Sequence, residues 1–189
     1  MKTENTVLYV LRLALTLFLI AAVVAAALAG VNSVTKPVID QLNAEKTQKA
    51  IETVLPGGFH TEIAEYPDAT GLVTKVYQGD GGYAVQVEPM GFDNTITMMV
   101  GIDNEGKILG MSVISHSETK DLGQVAAANN AKGEAFRGQY VGKTGVLSVI
   151  KSGEAAADEV NAITGATITS KAVTAGINAA LACVAELLG

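Results

Sequence analysis

The stretch "TITMMVGIDNEGKILGMSVISH", Thr95 to His116, decides the fold. Its two halves, "TITMMVGID" and "KILGMSVISH", are rich in β-branched and apolar residues, and Asn104-Glu105-Gly106 between them is a hairpin signal. The reading is two antiparallel strands. Upstream, "LVTKVYQ" (Leu72–Gln78) and "GYAVQVE" (Gly82–Glu88) repeat the pattern around the turn residues "GDGG", and strand character begins at about Glu62. Downstream, "QVAAANNAKGEAF" (Gln124–Phe136) reads as a helix and "GVLSVI" (Gly145–Ile150) as a further short strand. The chain closes on an amphipathic helix with Val173, Ile177, Ala180, Leu181, Val184 and Leu188 on one face. Strands gathered in the middle with helices at the ends predict an α+β domain. Its sheet is mostly antiparallel and flanked by helices, unlike an alternating βαβ fold.

The other end of the chain is different. Val7 to Val31 is an apolar stretch of 25 residues interrupted only by Arg12. At about 1.5 Å per residue it is roughly 37 Å long as a helix, enough to cross a bilayer with some tilt. Arg12 lies near the start and can snorkel to the headgroups. Lys2 and Arg12 precede the apolar core, which favours a single-pass segment with a cytoplasmic N-terminus. A cleaved secretory signal is the rival, because Ala27-Leu28-Ala29 has the small-x-small form. The core is long for a signal, so a retained anchor is expected; both readings carry the remainder across the membrane. Thr35-Lys36-Pro37 can break or restart the helix, and Pro56-Gly57-Gly58 ends the next helical run. The chain therefore divides into an anchor over 1–35, a connecting helix over 36–58 and a folded domain over 59–189. Ala21, Ala22, Ala25, Ala26, Ala29 and Gly30 offer small surfaces against which other helices can pack.

Composition excludes several functions. The net charge is -6 and no basic run occurs, which argues against a nucleic-acid partner. Cys183 is the single cysteine, so no intrachain disulfide forms, and it reads as a small buried hydrophobe. There are two histidines, and the sequence holds no CxxC, HExxH, P-loop or GxGxxG. "HSE" at His116–Glu118 is no triad, because consecutive residues on a strand point to opposite faces. No catalytic residue and no metal site are expected; a His116–Glu118 metal pair, sharing a face if the strand continued, is the minor alternative.

One segment carries more. "TGATITS", Thr164 to Ser170, stands where a loop enters the last helix. Free N–H groups and the positive dipole end of a helix attract an anion such as phosphate. Gly165 permits a sharp turn, Ala166 keeps the surface small, and Thr167 brings a hydroxyl beside the anion. An ordinary N-cap explains the same residues without a ligand.

"TGATITS" followed by a helix resembles the flavinylation motif of the FMN-binding domain family. "GIDNEGKILGMSVISHSETKDLG", Gly101 to Gly123, is similar to the hairpin and His-x-Glu-Thr-x-x-Leu-Gly segment of that family. With the N-terminal apolar segment, the likeness runs over nearly the whole chain. It is nearest to the G subunits of Rnf-type electron-transport complexes. The C subunits of sodium-pumping NADH:quinone reductases are next, although they tend to be longer.

The resemblance implies FMN joined through its phosphate to the hydroxyl of Thr167, the ester being made from FAD by a separate Mg-dependent flavin transferase. Thr164, Gly165 and Ala166 would also contribute to the cofactor site, and Thr169 and Ser170 would cap the helix or bond the phosphate, with both as fallback acceptors. His116, Glu118, Thr119, Leu122 and Gly123 match the second segment; Glu118, Thr119 and Leu122 would lie by the isoalloxazine ring, and Gly123 belongs to the same cofactor site. Two departures stand out. Asn161 occupies a position that is usually acidic, and Lys120-Asp121 replaces a frequent Pro-Gly. The implied function is an electron-carrier subunit of an ion-translocating ferredoxin:NAD oxidoreductase in the cell membrane, with an extracytoplasmic FMN domain and other complex subunits as partners. The equivalent quinone-reductase subunit, another extracytoplasmic flavoprotein, and a non-redox assembly subunit are the alternatives.

Overall fold

The computed structural model describes residues 4–58 and 60–189. Lys2, one of the two basic residues used above for orientation, lies outside them. The chain forms two compact units, one extending to Glu45 and the other from Lys46 to Gly189. Helix α1, Glu4–Val54, supplies the first unit and ends in the second. Its stretch from Val7 is long and apolar enough to cross a membrane. The helix does not break at Thr35-Lys36-Pro37 but runs through Pro37. In the turns before the proline, the Ser33 and Thr35 hydroxyls donate to the carbonyls of Gly30 (2.8 Å) and Val31 (2.9 Å).

The second unit is built on a meander of five antiparallel strands in chain order: β1 (Thr61–Ile63), β2 (Val73–Gly79), β3 (Gly82–Val87), β4 (Thr97–Asp103) and β5 (Ile108–Ser115). The β4–β5 hairpin forms where Asn104-Glu105-Gly106 predicts it. Asp103 sets the turn: its carboxylate accepts the amides of Glu105 and Lys107, both at 2.8 Å, and Gly106 takes φ of 77°. Register such as Val85↔Val100↔Met111 puts alternate residues on opposite faces.

Helix α3, Thr167–Leu188, lies on one face. There Val85, Val87, Met98, Val100 and Ile102 meet Val173, Ile177, Ala180 and Val184, all wholly buried. α3 is also apolar enough to span a membrane by composition, but that surface is its contact with the sheet. Leu188, expected on the same face, is instead exposed. Cys183 is buried in this cluster, and burial first, then the Asp68 and Glu186 charges, push its thiol up to about 11.

The opposite face takes the end of α1. Ala50, Ile51, Val54 and Leu55 pack on Ala84 and Met99. Gly101 makes this possible, because a Cβ there would overlap the carbonyl of Val54.

The segment between β5 and α3 differs from the sequence reading. Gln124–Phe136 is not one helix. It divides into a 3₁₀ turn, Gly123–Ala127, and helix α2, Ala131–Gly138. Asn130 separates them by capping α2, its side chain accepting the amides of Lys132 and Gly133 at 3.1 and 3.0 Å. Arg137 ties the two pieces together by donating to the carbonyls of Ala126 (2.9 Å) and Ala128 (3.0 Å). Two further strands, β6 (Ser148–Ile150) and β7 (Glu159–Asn161), pair in parallel as a separate sheet. The Asn178 amide fastens this region to α3 by bonding both the N–H and the carbonyl of Leu147 at 2.9 Å.

Candidate cofactor site

The turn that starts α3 is shaped by its own backbone. The amide of Ala166 donates to the carbonyl of Ile163 (2.9 Å), and Gly165 takes φ of 80°, a conformation that favours glycine. The Ser170 hydroxyl accepts the Ile163 amide (3.0 Å) and donates to the Ala166 carbonyl (2.9 Å). Ser170 is fully buried.

The helix N-cap is Ala166, which has no side chain to offer. The first helical amide to find a partner is that of Ser170, bonding Ala166 O at 3.0 Å. Among the described residues, the N–H groups of Thr167, Ile168 and Thr169 make no hydrogen bond. The ordinary-cap explanation therefore fails at the position where it was expected. Thr167 is half-buried and its hydroxyl has no hydrogen-bond partner among the described residues.

The facing wall comes from the segment after β5. The strand stops at Ser115, so His116 and Glu118 do not share a strand face; the His116 ring instead accepts the Glu118 amide at Nδ1 (3.2 Å). Glu118 is buried. Its Oε1 accepts the amides of Phe92 (2.8 Å) and Asp93 (3.3 Å), and its Oε2 accepts the Thr169 hydroxyl. A Cβ on Gly91 or Gly123 would strike this carboxylate. The loop then turns through Asp121, the one non-glycine residue with positive φ among those described, at 62°. That is the second residue of the pair where Pro-Gly is frequent in the resembling family, so aspartate here adopts a conformation that glycine takes more easily. Leu122 follows and reaches across to Gly165.

Between these walls lies a cleft of about 330 Å³. It brings together Glu118, Thr119, Leu122, Gly123, Gly165, Ala166, Thr167 and Thr169 from the residues expected above. It does not bring in Thr164, which lines a separate groove with Asn161, nor Ser170, which lies beneath the turn. Phe92 and Ile168 line the cleft too, and sequence reasoning missed both. The only signal for Ile168 is an apolar residue among hydroxyls. Phe92 carries none, being far from either motif. Phe92, Leu122 and Ile168 remain exposed and give the cleft an apolar rim. No Lys or Arg lines it, so an anion there is met by helix amides rather than by a cation.

Residues 91–182, which include the cleft lining, match the FMN-binding domain family. Residues 1–54 match the RnfG N-terminal region. The G subunit of the Na(+)-translocating ferredoxin:NAD(+) oxidoreductase complex of Acetobacterium woodii is 33% identical, over 89% of this chain and 88% of its own. The G subunit of the ion-translocating oxidoreductase complex of Methanosarcina acetivorans is 31% identical, over 88% of this chain and 89% of its own. The proton-translocating counterpart of Clostridium ljungdahlii is 38% identical over 57% of this chain and 55% of its own. The chain belongs to the family of G subunits of ion-translocating oxidoreductase complexes.

Proposed function

We propose that this protein is the electron-carrier subunit of a membrane-bound, Rnf-type ion-translocating oxidoreductase, working through FMN esterified by its phosphate to Thr167. The observation that carries the reading is the unpartnered Thr167 hydroxyl at an uncapped helix start that opens on an apolar cleft. The fit is chemical. Amides of Thr167, Ile168 and Thr169 are free to donate to phosphate oxygens, and the helix dipole adds to their pull. Gly165 permits the turn that presents Thr167, and Phe92, Leu122 and Ile168 offer apolar surface to a flat ring. The other hydroxyls of the first turn are committed elsewhere, Thr169 to Glu118 and Ser170 to the turn backbone, which leaves Thr167 as the acceptor.

When bound, FMN supplies reversible one- and two-electron redox chemistry; the protein supplies position and surroundings. No side chain here acts as a general acid or base. Two of the relatives are named as ferredoxin:NAD(+) oxidoreductase subunits, and the same electron donor and acceptor are proposed for the complex to which this chain contributes. The α1 segment anchors it, with residues 1–35 in the membrane, 36–58 connecting, and 59–189 forming an extracytoplasmic FMN domain. A flavin transferase matures it: the Thr167 Oγ–P bond forms, the pyrophosphate bond of FAD breaks, and AMP leaves with the hydroxyl proton.

The test is the intact mass of the protein from its native host, with peptide mapping. A gain of one FMN less one water on the peptide holding Thr167, absent in Thr167→Ala, is expected. An unmodified mass, with transferase and riboflavin supply verified, overturns the covalent reading.

A further inference from the structure

Glu118 is a buried carboxylate that forms no salt bridge among the described residues. Burying such a charge is costly unless hydrogen bonds compensate. Here three donors do so, and they come from two other segments: the amides of Phe92 and Asp93, and the hydroxyl of Thr169. Each segment forms part of the cleft wall, as does the loop that carries Glu118 itself. Gly91 and Gly123 leave the space that its carboxylate fills.

The loop with Phe92 is short and local. Gly91 donates to the Asn94 carbonyl (2.9 Å), and Met90 bridges to Thr95. Among the described residues, the hydrogen bonds that link it to the helix start run through the Glu118 carboxylate. Phe92 is held by its backbone and is 65% exposed at the cleft, an arrangement that core packing does not explain.

Resting on the flavin reading above, we propose that Phe92 is the aromatic wall against which the flavin ring lies, and that Glu118 is the positioning residue that holds this wall at the cleft by bonding the Phe92 and Asp93 amides. Glu118 acts here through protein groups, and its charge is not what the flavin reads. A glutamine at the position keeps an oxygen for the two amides, while its NH₂ faces a Thr169 hydroxyl that is able to accept. Alanine abolishes all three bonds.

The experiment uses the full-length, flavin-loaded protein and reads flavin fluorescence per flavin, with total flavin measured after denaturation. Phe92→Trp turns the wall into an efficient quencher, because an indole in contact with a flavin donates an electron to its excited state. A several-fold loss of fluorescence is expected. Adding Glu118→Gln retains the quenching, and adding Glu118→Ala restores brightness towards that of the unsubstituted protein. Gly91→Ala, whose methyl overlaps Glu118 Oε1, is the second route to releasing the loop if Glu118→Ala does not fold. Equal fluorescence per flavin in Phe92→Trp and the parent overturns the wall. Quenching that survives release of the loop overturns the positioning role, and so does quenching lost in Glu118→Gln. Absence of flavin from the parent protein rejects the proposed function instead, so the two failures are distinguishable.

Discussion

Replacing Gly101 by alanine tests how the end of α1 is seated on the sheet. Gly101 lies in the central strands, paired with Ala84 on β3 and Gly110 on β5. An added methyl overlaps the carbonyl oxygen of Val54 and crowds its Cβ, and backbone cannot swing aside as a side chain does. The last turn of α1 must lift. Overpacking of this kind costs about 1–3 kcal/mol. Complete detachment sets an upper bound, since Ile51, Val54 and Leu55 are each only 2% exposed and each forfeits about 1.5–3 kcal/mol of burial. The first figure corresponds to a melting temperature lower by roughly 3–12 °C for a domain of this size. The assay is thermal unfolding of the full chain with hydrogen exchange. Faster exchange should appear in the last turns of α1 and not in α3. Gly110→Ala is the control, because its methyl meets nothing within 4 Å. Equal melting of the two variants, or faster exchange confined to α3, refutes the reasoning.

Three other outcomes are expected. Ser170→Ala leaves the Ile163 amide without its acceptor and lowers stability by about 1–3 kcal/mol, with less flavin bound per protein; melting and flavin content measure both. Asp121→Gly relieves the positive φ and raises stability by up to about 1 kcal/mol after the entropy of glycine is counted; a fall in melting temperature contradicts this. The Cys183 thiol, at about 11 against an ordinary 9.0, stays protonated in the fold after the unfolded chain has ionised. Stability is thus intact below pH 9 and declines as pH rises from there towards 11. Cys183→Ala removes that part of the decline, and thiol reagents label the parent at neutral pH only after unfolding.

The hairpins were legible because their signals are local. Asp103 and Gly106 carry the turn between β4 and β5, and the strands on either side are rich in β-branched and apolar residues. α3 was legible by its period, though Leu188 in its last turn is exposed. The β6–β7 pairing was not, since three-residue strands in parallel owe their existence to neighbours such as Asn178 and Gln139 rather than to propensity. The divided helix after β5 has the same cause: Asn130 caps, and Gly133 sits where a side chain would strike the Ala128 carbonyl. In the cleft, the lining residues of the two motifs came from the sequence, apart from Ile168. Phe92 did not, because its hydrogen bond to the others runs to a carboxylate 26 positions away. The passage of α1 through Pro37 was hidden too, since proline alone reads as a stop.

The Ser170 hydroxyl has a consequence for timing. It holds the Ile163–Ala166 turn closed with bonds internal to the chain, so the loop already has its shape in the bare protein. Ordering entropy is then spent during folding and not when a ligand arrives. A linear peptide spanning Thr164–Ser170 lacks the Ile163 amide and the α3 packing that bury Ser170, and samples this shape rarely. On the proposed function, an enzyme that esterifies Thr167 reads a folded domain, so that folding comes first and the proposed modification after it.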